Sequence, residues 1–365
     1  MLDREIRVLV VDDSVVVRSI IADSISATPG MKVVGTAGDG EQALRMLDSV
    51  RPDVVTLDVQ MPKMDGMATL EAILSRYPVP IIMVSSLTKA GAETTFEALE
   101  RGALDFLAKP DYGAKTRAVL MEELPRKIRM AAGADVKKIL AMRKDRKLRP
   151  SDAPVAKPVP TETSKAASRE YADRCVAIGI STGGPPALAQ LFAGLTPPLP
   201  PIVIVQHMPP SFTKPLAWRL DSLSALTIRE ASQGDVLEPN CAWLAPGGKH
   251  LSIRRQGSLV KLVVSDGPAV SGHKPSVDVL MNSVAEVYGH NAVGVIMTGM
   301  GHDGAAGCGA IRAAGGMVLG QNEATSAVYG MNKVAFVEGH VHRQFGLAEA
   351  ATVISRQARG ARQPA

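Results

Sequence analysis

The chain lacks paired cysteines, a long apolar run and a basic leader segment. Its three cysteines stand far apart among 365 residues, so neither a disulfide framework nor a paired-cysteine metal site is expected. No apolar run reaches the roughly 18 residues that a membrane-spanning helix requires. The first residues are acidic and charged where a secretory signal would be basic. We therefore expect a cytoplasmic protein that does not insert into a membrane.

The excess of positive charge is small, and most of it lies outside the segments predicted to fold. The formal net charge is +5, to which residues 1–133 contribute −3, residues 134–172 +5 and residues 173–365 +3. Hydrophobic residues make up 46% and charged residues 21%, values typical of globular proteins, and the length predicts two domains. A folded domain with a basic nucleic-acid-binding face is therefore not expected.

The first third of the chain alternates short apolar segments with helical patterns. The apolar segments are Val8–Val11, Val33–Thr36, Val54–Leu57, Ile81–Val84 and a short one at Phe106–Leu107. They are nearly all apolar, as strands buried on both faces of a parallel sheet are. Five strands interleaved with helices predict a doubly wound α/β domain.

Polar side chains follow the predicted strands of this domain. Asp12, Asp13 and Asp58 come at or after the ends of two strands, which open onto the same edge of the sheet. Carboxylates this close favour a bound cation, and Mg²⁺ prefers such oxygen ligands. Ser85 and Lys109 end two further strands and could contact a phosphoryl group on Asp58. Each feature alone is ordinary, since an aspartate pair often only ends a strand or caps a helix.

Together these motifs resemble the receiver domain of two-component response regulators. The segments VLVVDDS, LDVQMPKMDG, MVSS and DFLAKP carry the resemblance, which covers residues 4–121, with a last helix to about residue 133. It implies a flavodoxin-like (βα)5 fold in which Asp58 accepts phosphate from a histidine kinase. Ser85 and Lys109 would contact the phosphoryl group, and Phe106 matches an aromatic residue that changes rotamer in such domains.

The same resemblance implies a metal site. Asp12, Asp13, Asp58 and the backbone carbonyl of Gln60 would hold the Mg²⁺ that phosphorylation needs. Relatives often have glutamate at the position of Gln60. Only the carbonyl of this residue should touch the metal, so we expect an altered dephosphorylation rate and no loss of function.

Residues 134–172 read as a linker between two domains. The segment begins basic and helix-like, and then becomes rich in proline without large apolar residues. Such a sequence cannot build a core and is typical of an extended tether. Its basic part could instead bind nucleic acid or a membrane surface.

The last half of the chain again predicts a mostly parallel α/β domain, over residues 173–358 with a tail at 359–365. Predicted strands and hairpin segments are Cys175–Ile180, Ile202–Val205, Leu251–Arg254, Leu259–Val264, Ala292–Met297 and Met317–Leu319. Three predicted strands are followed by Ser181 in a G-x-S-x-G turn, by His207 and by Asp303.

These three residues could form an acyl-transfer triad at one edge of the sheet. The glycine-rich turn could equally bind an anion or be structural, a lone histidine is usually an ordinary polar residue, and Asp303 could be a helix cap. The chain order of serine, histidine and aspartate differs from that of α/β-hydrolases.

This half resembles the catalytic domain of the CheB family of chemotaxis protein-glutamate methylesterases. The segments AIGISTGGP, VQHMPPSFT, LAPGG, HKPSVDVL, MTGMGHDGAAG and NEATSAVYGMN carry the resemblance. It implies that Ser181 is the nucleophile, His207 the general base and acid, and Asp303 the orienting carboxylate. Thr182 would lie beside the nucleophile, and the backbone N–H of Met300 would help to bind the oxyanion. The esterase chemistry would need no cofactor.

The resemblance as a whole implies a phosphorylation-activated esterase that demethylates glutamate methyl esters of chemoreceptors and deamidates certain glutamines. The departures from the pattern, Asn322 and His302, lie outside the three triad positions. One alternative is a response regulator that acts by binding DNA or a partner, for which the basic linker is the main support. Against it, no helix-turn-helix fits the strand–helix pattern. Another alternative keeps the esterase and changes its target.

Overall fold

The chain folds into two units, each built on its own parallel sheet. The structure is a computed structural model that describes residues 4–86, 88–109, 114–147 and 171–360. The first unit comprises Met1–Arg149 and the second Pro150–Ala365. No helix in the described ranges is long and apolar enough to cross a membrane.

The first unit has the strand order β2-β1-β3-β4-β5, with every neighbouring pair parallel. This is the flavodoxin-like order, and it confirms the predicted fold class. The strands are β1 (Ile6–Val11), β2 (Met31–Ala37), β3 (Val54–Asp58), β4 (Ile81–Ser85) and β5 (Asp105–Ala108). The helices are α1 (Val15–Ser26), α2 (Gly40–Val50), α3 (Gly66–Arg76), α4 (Lys89–Arg101), α5 (Ala114–Ala131) and α6 (Val136–Lys147).

Helix α6 covers the part of the predicted linker, residues 134–172, whose sequence is basic and helix-like. Val136 and Ile139 are both buried, and their i, i+3 spacing places them on one face of the helix. The helix therefore belongs to the first unit. The proline-rich remainder of the predicted tether, residues 148–170, lies outside the described residues.

The second unit has a seven-stranded parallel sheet in the order β14-β13-β12-β6-β7-β9-β8. Its strands are β6 (Cys175–Ile180), β7 (Ile202–Gln206), β8 (Thr227–Glu230), β9 (Cys241–Leu244), β12 (Ala292–Ile296), β13 (Met317–Gln321) and β14 (Arg343–Phe345). Its helices are α7 (Gly184–Gly194), α8 (Pro210–Leu223), α9 (Val277–Tyr288), α10 (Ala305–Ala313), α11 (Met331–Val337) and α12 (Ala350–Ala358).

An antiparallel hairpin, β10 (His250–Gln256) with β11 (Leu259–Ser265), packs beside α9. Leu251 and Leu262 of the hairpin share one buried apolar cluster with Leu280 of α9. The Ile253 N–H also donates to Ser283 Oγ over 3.0 Å. The hairpin therefore fixes the position of α9 and of the residues that precede it.

The order of strands determines where a site can form in the second unit. Strand β6 lies in the middle of the sheet. The next strand in the chain, β7, lies on one side of β6, and the later strands β12, β13 and β14 lie on the other side. In parallel sheets, ligands bind at the carboxyl ends of strands where the order reverses in this way. The carboxyl ends of β6, β7 and β12 are therefore the expected place for the chemistry.

Candidate functional sites

In the first unit, three acidic side chains and one lysine meet at the carboxyl ends of the strands. Oxygen atoms of Asp12, Asp13 and Asp58 lie within 4.8 Å of one another. Lys109 Nζ lies 2.7 Å from Asp58 Oδ2 and 3.3 Å from Asp12 Oδ2. The structure thus brings together the residues predicted to form the phosphoacceptor and metal site.

The buried carboxylates of Asp12 and Asp58, together with the exposed carboxylate of Asp13, can carry more negative charge than Lys109 neutralises. Burial raises the pKa of Asp58 from 3.8 to about 6 and the charge of Asp12 adds to this, although the hydrogen bond from Lys109 opposes both. Asp12 Oδ2 is buried and accepts no hydrogen bond within the described part of the chain. A buried carboxylate oxygen that accepts no hydrogen bond and lies among further carboxylates fits a divalent cation such as Mg²⁺.

The other predicted receiver residues surround this site. Ser85 is fully buried, and its Oγ donates to Gly91 O over 3.1 Å. Phe106 is buried in β5, with Lys127 Nζ 5.7 Å from the centre of its ring. The Gln60 N–H donates to Asp58 Oδ1 over 3.2 Å while its side chain is exposed.

The raised pKa of Asp58 predicts that the metal-free first unit loses stability between about pH 4 and pH 6. In that window the folded carboxyl keeps a proton that the unfolded chain has released. The free energy of unfolding should therefore fall as the pH rises, by roughly 2–3 kcal/mol. Asp58→Asn should remove most of this dependence, and Asp48→Asn, at an exposed position, should not.

Hydrogen exchange of the β3 amides is the measurement that checks this prediction. Both tryptophans, Trp218 and Trp243, lie in the second unit, so tryptophan fluorescence cannot report on the first. A pH dependence of similar size in Asp58→Asn would show that this carboxyl is not its source.

In the second unit, Ser181 lies in the turn between β6 and α7. Its N–H donates to Thr298 O over 2.9 Å, and its carbonyl accepts from Gly184 N over 2.8 Å. Gly183 has a φ of +76°, and a Cβ at this position would lie 2.5 Å from Ala327 Cβ. The turn therefore requires glycine here and holds the backbone of Ser181 in one conformation.

His207 follows the adjacent strand β7 and lies beside this turn. Its N–H donates to Ile180 O over 3.2 Å. Gln206 Nε2 donates to Ser181 O over 2.9 Å and to His207 O over 3.1 Å. The buried amide of Gln206 thus ties together the backbones that carry the serine and the histidine.

Asp303 follows β12 and sits in a cradle of four hydrogen-bond donors. Oδ1 accepts from Ser276 Oγ over 2.8 Å and from Asp278 N over 3.1 Å. Oδ2 accepts from Val277 N over 2.8 Å and contacts His207 Nε2 at 2.7 Å. Burial alone would raise the pKa of Asp303, but these donors, above all His207, lower it to about 2. The side chain is therefore a fixed, ionised carboxylate.

The contact with Asp303 determines which nitrogen of His207 can act as a base. Because Nε2 donates its proton to the carboxylate, Nδ1 is the basic nitrogen of the neutral ring. Nδ1 is buried and has no hydrogen-bond partner among the described residues, so Ser181 Oγ is not bonded to it. The His273 ring stacks on His207 with 3.9 Å between centroids and 4° between planes.

The loop after β12 passes directly beside Ser181. A Cβ on Gly299 would lie 2.7 Å from Ser181 Cβ. The N–H of the next residue, Met300, donates to no acceptor in the described ranges. On the other side of the serine, the Thr182 carbonyl accepts from Thr298 Oγ1 over 2.9 Å. Thr182 and the loop residue before Met300, Gly299, therefore both adjoin Ser181.

Comparisons with known proteins match a different family model to each of the two units. The family model for the response regulator receiver domain matches residues 8–119, and that for CheB methylesterase matches residues 176–354. A relative from Syntrophotalea carbinolica, named protein-glutamate methylesterase/protein-glutamine glutaminase, is 42% identical over 341 residues, covering 93% of this chain and 94% of its own. The chain belongs to this family.

Other relatives and a solved structure support the assignment. A protein-glutamate methylesterase/protein-glutamine glutaminase of Anaeromyxobacter dehalogenans is 44% identical over 355 residues, covering 97% of this chain and 96% of its own. The crystal structure of the Thermotoga maritima CheB methylesterase catalytic domain is 37% identical, with a TM-score of 0.50, covering 50% of this chain and 98% of that one.

Membership of the methylesterase/glutaminase family establishes a hydrolase of glutamate methyl esters and glutamine amides in proteins, joined to a receiver domain. Chemotaxis follows from the CheB family name. Receiver domains generally bind Mg²⁺ for their phosphorylation, which agrees with the acidic cluster in the first unit.

Several residues of the methylesterase site were not singled out from the sequence. Gln206, His273, Ser276 and Asp278 lie in segments that carried the family resemblance without a stated role, and His250 lies just outside such a segment, LAPGG. Only Ser276 had a recognisable signal, because a serine before an apolar helical run is a typical helix N-cap. The structure confirms that it caps α9.

Proposed function

We propose that the chain is a phosphorylation-activated serine esterase with Ser181, His207 and Asp303 as its triad. The observation that carries the proposal is the geometry of His207. Asp303 binds one ring nitrogen from within a cradle of donors, and the other nitrogen is left unpartnered at the sheet edge where Ser181 lies. A base held in one tautomer beside a hydroxyl is what nucleophilic activation of serine requires.

The first half of the reaction forms a glutamyl-enzyme. Ser181 Oγ attacks the carbonyl carbon of a γ-methyl ester while His207 Nδ1 takes the hydroxyl proton. The C–O bond to methanol then breaks, and the imidazolium returns the proton to the leaving oxygen. The hydrogen bond between Oγ and Nδ1 must form in the substrate complex, which is common for catalytic pairs that are apart in the free enzyme.

The second half hydrolyses that intermediate. His207 Nδ1 removes a proton from water, the resulting hydroxide attacks the acyl carbon, and the Ser181 oxygen leaves with the proton. A glutamine side chain follows the same path with ammonia as the leaving group. Throughout, the carboxylate of Asp303 stabilises the imidazolium that forms on His207.

The backbone around the serine can stabilise the oxyanion. The unpartnered N–H of Met300 lies in the loop that passes Ser181, and an amide donor at a developing negative charge contributes strongly to such reactions. The Thr298 side chain holds the Thr182 carbonyl on the other side of the serine. We assign the Met300 N–H to the oxyanion and Thr182 to the wall of the site.

The substrates would be methylated glutamates and certain glutamines on the cytoplasmic part of chemoreceptors. Support comes from the family name, which specifies the two reactions, and from the receiver domain that links the enzyme to a signalling pathway. A location in the cytoplasm follows from that substrate.

The first unit would be the switch, with Asp58 accepting phosphate from a histidine kinase. Asp12, Asp13, Asp58 and the carbonyl of Gln60 would hold Mg²⁺, whose charge would favour phosphate transfer to a carboxylate. Lys109 already contacts Asp58 and would pair with the phosphoryl group. Ser85 and Phe106 would report its presence by changing their contacts.

Removal of the first unit should raise the basal esterase rate if the unphosphorylated receiver restrains catalysis. The helix α6 moves the best cut from residue 133 to residue 149, because a cut at 133 would expose the apolar face of Val136 and Ile139. The fragment 150–365 should hydrolyse methyl esters roughly 5- to 150-fold faster than the unphosphorylated full chain.

The rate should be measured by methanol release, with circular dichroism as a check that the fragment is folded. A solved catalytic domain of the family that stands alone makes folding of the fragment the expected result. An unchanged or lower rate in a folded fragment would argue against restraint by the receiver.

A further inference from the structure

We infer that His250 is a positioning residue, which sets the place of Asp303 through the backbone of Ser276. The inference rests on the proposed triad and extends it to a side chain that touches neither substrate nor reacting atoms. It starts from a buried histidine, the first residue of β10, whose two ring nitrogens both have partners.

The hydrogen bonds of His250 fix its tautomer. Nδ1 accepts from the Ser276 N–H over 3.2 Å, so it carries no proton. Nε2 lies 2.8 Å from Pro268 O, an oxygen that can only accept, so Nε2 carries the proton. The residue is 3% exposed, so these two contacts hold a buried ring.

Ser276 is the first residue of the segment that supplies most of the cradle around Asp303. Three of the four donors to that carboxylate are Ser276 Oγ, Val277 N and Asp278 N, which are consecutive in the chain. The Ser276 N–H is turned away from the carboxylate and is held by His250. The His250 ring therefore holds this segment on the side that faces away from the Asp303 carboxylate.

The opposite side of the same segment is anchored as well. Asp278 Oδ1 accepts from Gly304 N over 2.9 Å and from Gly307 N over 2.8 Å, which ties the start of α9 to the start of α10. The segment Ser276–Asp278 is thus held by His250 of β10 on one side and by the start of α10 on the other. Losing the histidine anchor would let the N-terminal donors shift, and with them the carboxylate and the His207 ring it orients.

Two variants of His250 separate this role from a general contribution to folding. His250→Asn keeps an acceptor near the position of Nδ1 and loses the donor to Pro268. His250→Gln keeps a donor near the position of Nε2 and loses the acceptor for Ser276. Each variant removes one buried hydrogen bond, so the two should lose similar stability.

Their activities should nevertheless differ in the full-length enzyme. We expect His250→Gln to lower kcat for methyl-ester hydrolysis about 10- to 100-fold with KM within about twofold, because small displacements of a catalytic group cost this much. His250→Asn should stay within about threefold of wild type. Equal kcat values at equal folded fraction, or a loss confined to KM, would overturn the inference.

Coupling to Ser276 gives a second readout. In a Ser276→Ala background, which already lacks one donor to Asp303, His250→Gln should cost less than it does in the wild type. If the two substitutions lower kcat by independent factors, so that the double variant shows the product of the two losses, His250 does not act through Ser276.

A measurement on the unmodified protein removes any dependence on how the variants fold. The ¹⁵N NMR signals of His250 in the active enzyme should show an unprotonated Nδ1 and a protonated Nε2. A proton on Nδ1 would overturn the inference. Ser181→Ala serves as the control for the proposed function itself: if it hydrolyses esters like the wild type, the triad is wrong, whatever the His250 variants show.

Discussion

Replacing Ser181 with alanine is expected to lower kcat for glutamate methyl-ester hydrolysis by about 10⁴- to 10⁶-fold, as loss of a serine nucleophile does in comparable triads. The substitution removes the only atom at this position that can bond to the acyl carbon. It leaves in place the backbone hydrogen bonds of the turn, from Ser181 N to Thr298 O and from Gly184 N to Ser181 O. The fold and the affinity for substrate should therefore change little.

A soluble peptide with a glutamate γ-methyl ester is a suitable substrate, with methanol as the measured product. Ser222→Ala is the matched control, because Ser222 is exposed on α8 and its Oγ bonds only to the Arg219 carbonyl within its own helix. The control should keep the wild-type rate. A Ser181→Ala enzyme with more than a small fraction of that rate would require another nucleophile.

Replacing Asp303 with asparagine should lower kcat by about 10⁴-fold, because it changes the protonation of His207. The carboxylate accepts four hydrogen bonds, from His207 and from the segment Ser276–Asp278. In asparagine, an N–H₂ group would replace one carboxylate oxygen, and this donor would face only other hydrogen-bond donors. The ring of His207 would then turn or take the other tautomer, and Nδ1 would no longer be free to act as the base.

The lowered pKa of Asp303 gives this prediction a stability component. A carboxyl with a folded pKa of about 2 contributes stability at pH values above its unfolded value, and loses it as the pH falls through the folded one. Asp303→Asn should therefore lower the melting temperature at neutral pH and reduce the loss of stability on acidification toward pH 2. Asp173→Asn, exposed near the opposite end of β6, should change neither rate nor stability. An Asp303→Asn enzyme that retains wild-type kcat would contradict the assigned role.

The sequence was a good guide to the strands at the centre of each sheet. The segments that became β1, β3, β4, β6, β7 and β12 are predominantly apolar, because these strands are covered on both faces. The short strands β8 (TIRE), β9 (CAWL) and β14 (RQF) were not predicted. β8 and β14 are edge strands with polar residues, and three or four residues give too little pattern to recognise.

The packing of helix α6 was equally hard to recognise from its sequence. Its sequence is highly charged, and among the α6 residues whose side chains the structure describes only Val136 and Ile139 are buried. The charge and the prolines that follow indicated a linker that begins helix-like, and the structure places this helix within the first unit.

The sequence indicated the site residues that act through their side chains, but not the backbone groups that hold those side chains in place. Ser181, His207 and Asp303 each follow an apolar strand, and parallel strands bring such residues to one edge. Two of the four donors around Asp303 are the backbone N–H groups of Val277 and Asp278, which no residue type reveals. His250 escaped notice because its role depends on two hydrogen bonds to backbone atoms distant in the sequence.

We propose that phosphorylation at Asp58 controls acyl transfer at Ser181. Methanol release from methylated receptor membranes tests it, with wild type, Ser181→Ala and Asp58→Ala each assayed with and without a small phosphodonor and Mg²⁺. We expect the wild-type rate to rise with the phosphodonor, the Asp58→Ala rate to stay at the basal level, and Ser181→Ala to release no methanol in either condition. Release by Ser181→Ala at the wild-type rate would show that Ser181 is not the nucleophile, and equal activation of Asp58→Ala would show that phosphorylation of Asp58 is not the switch.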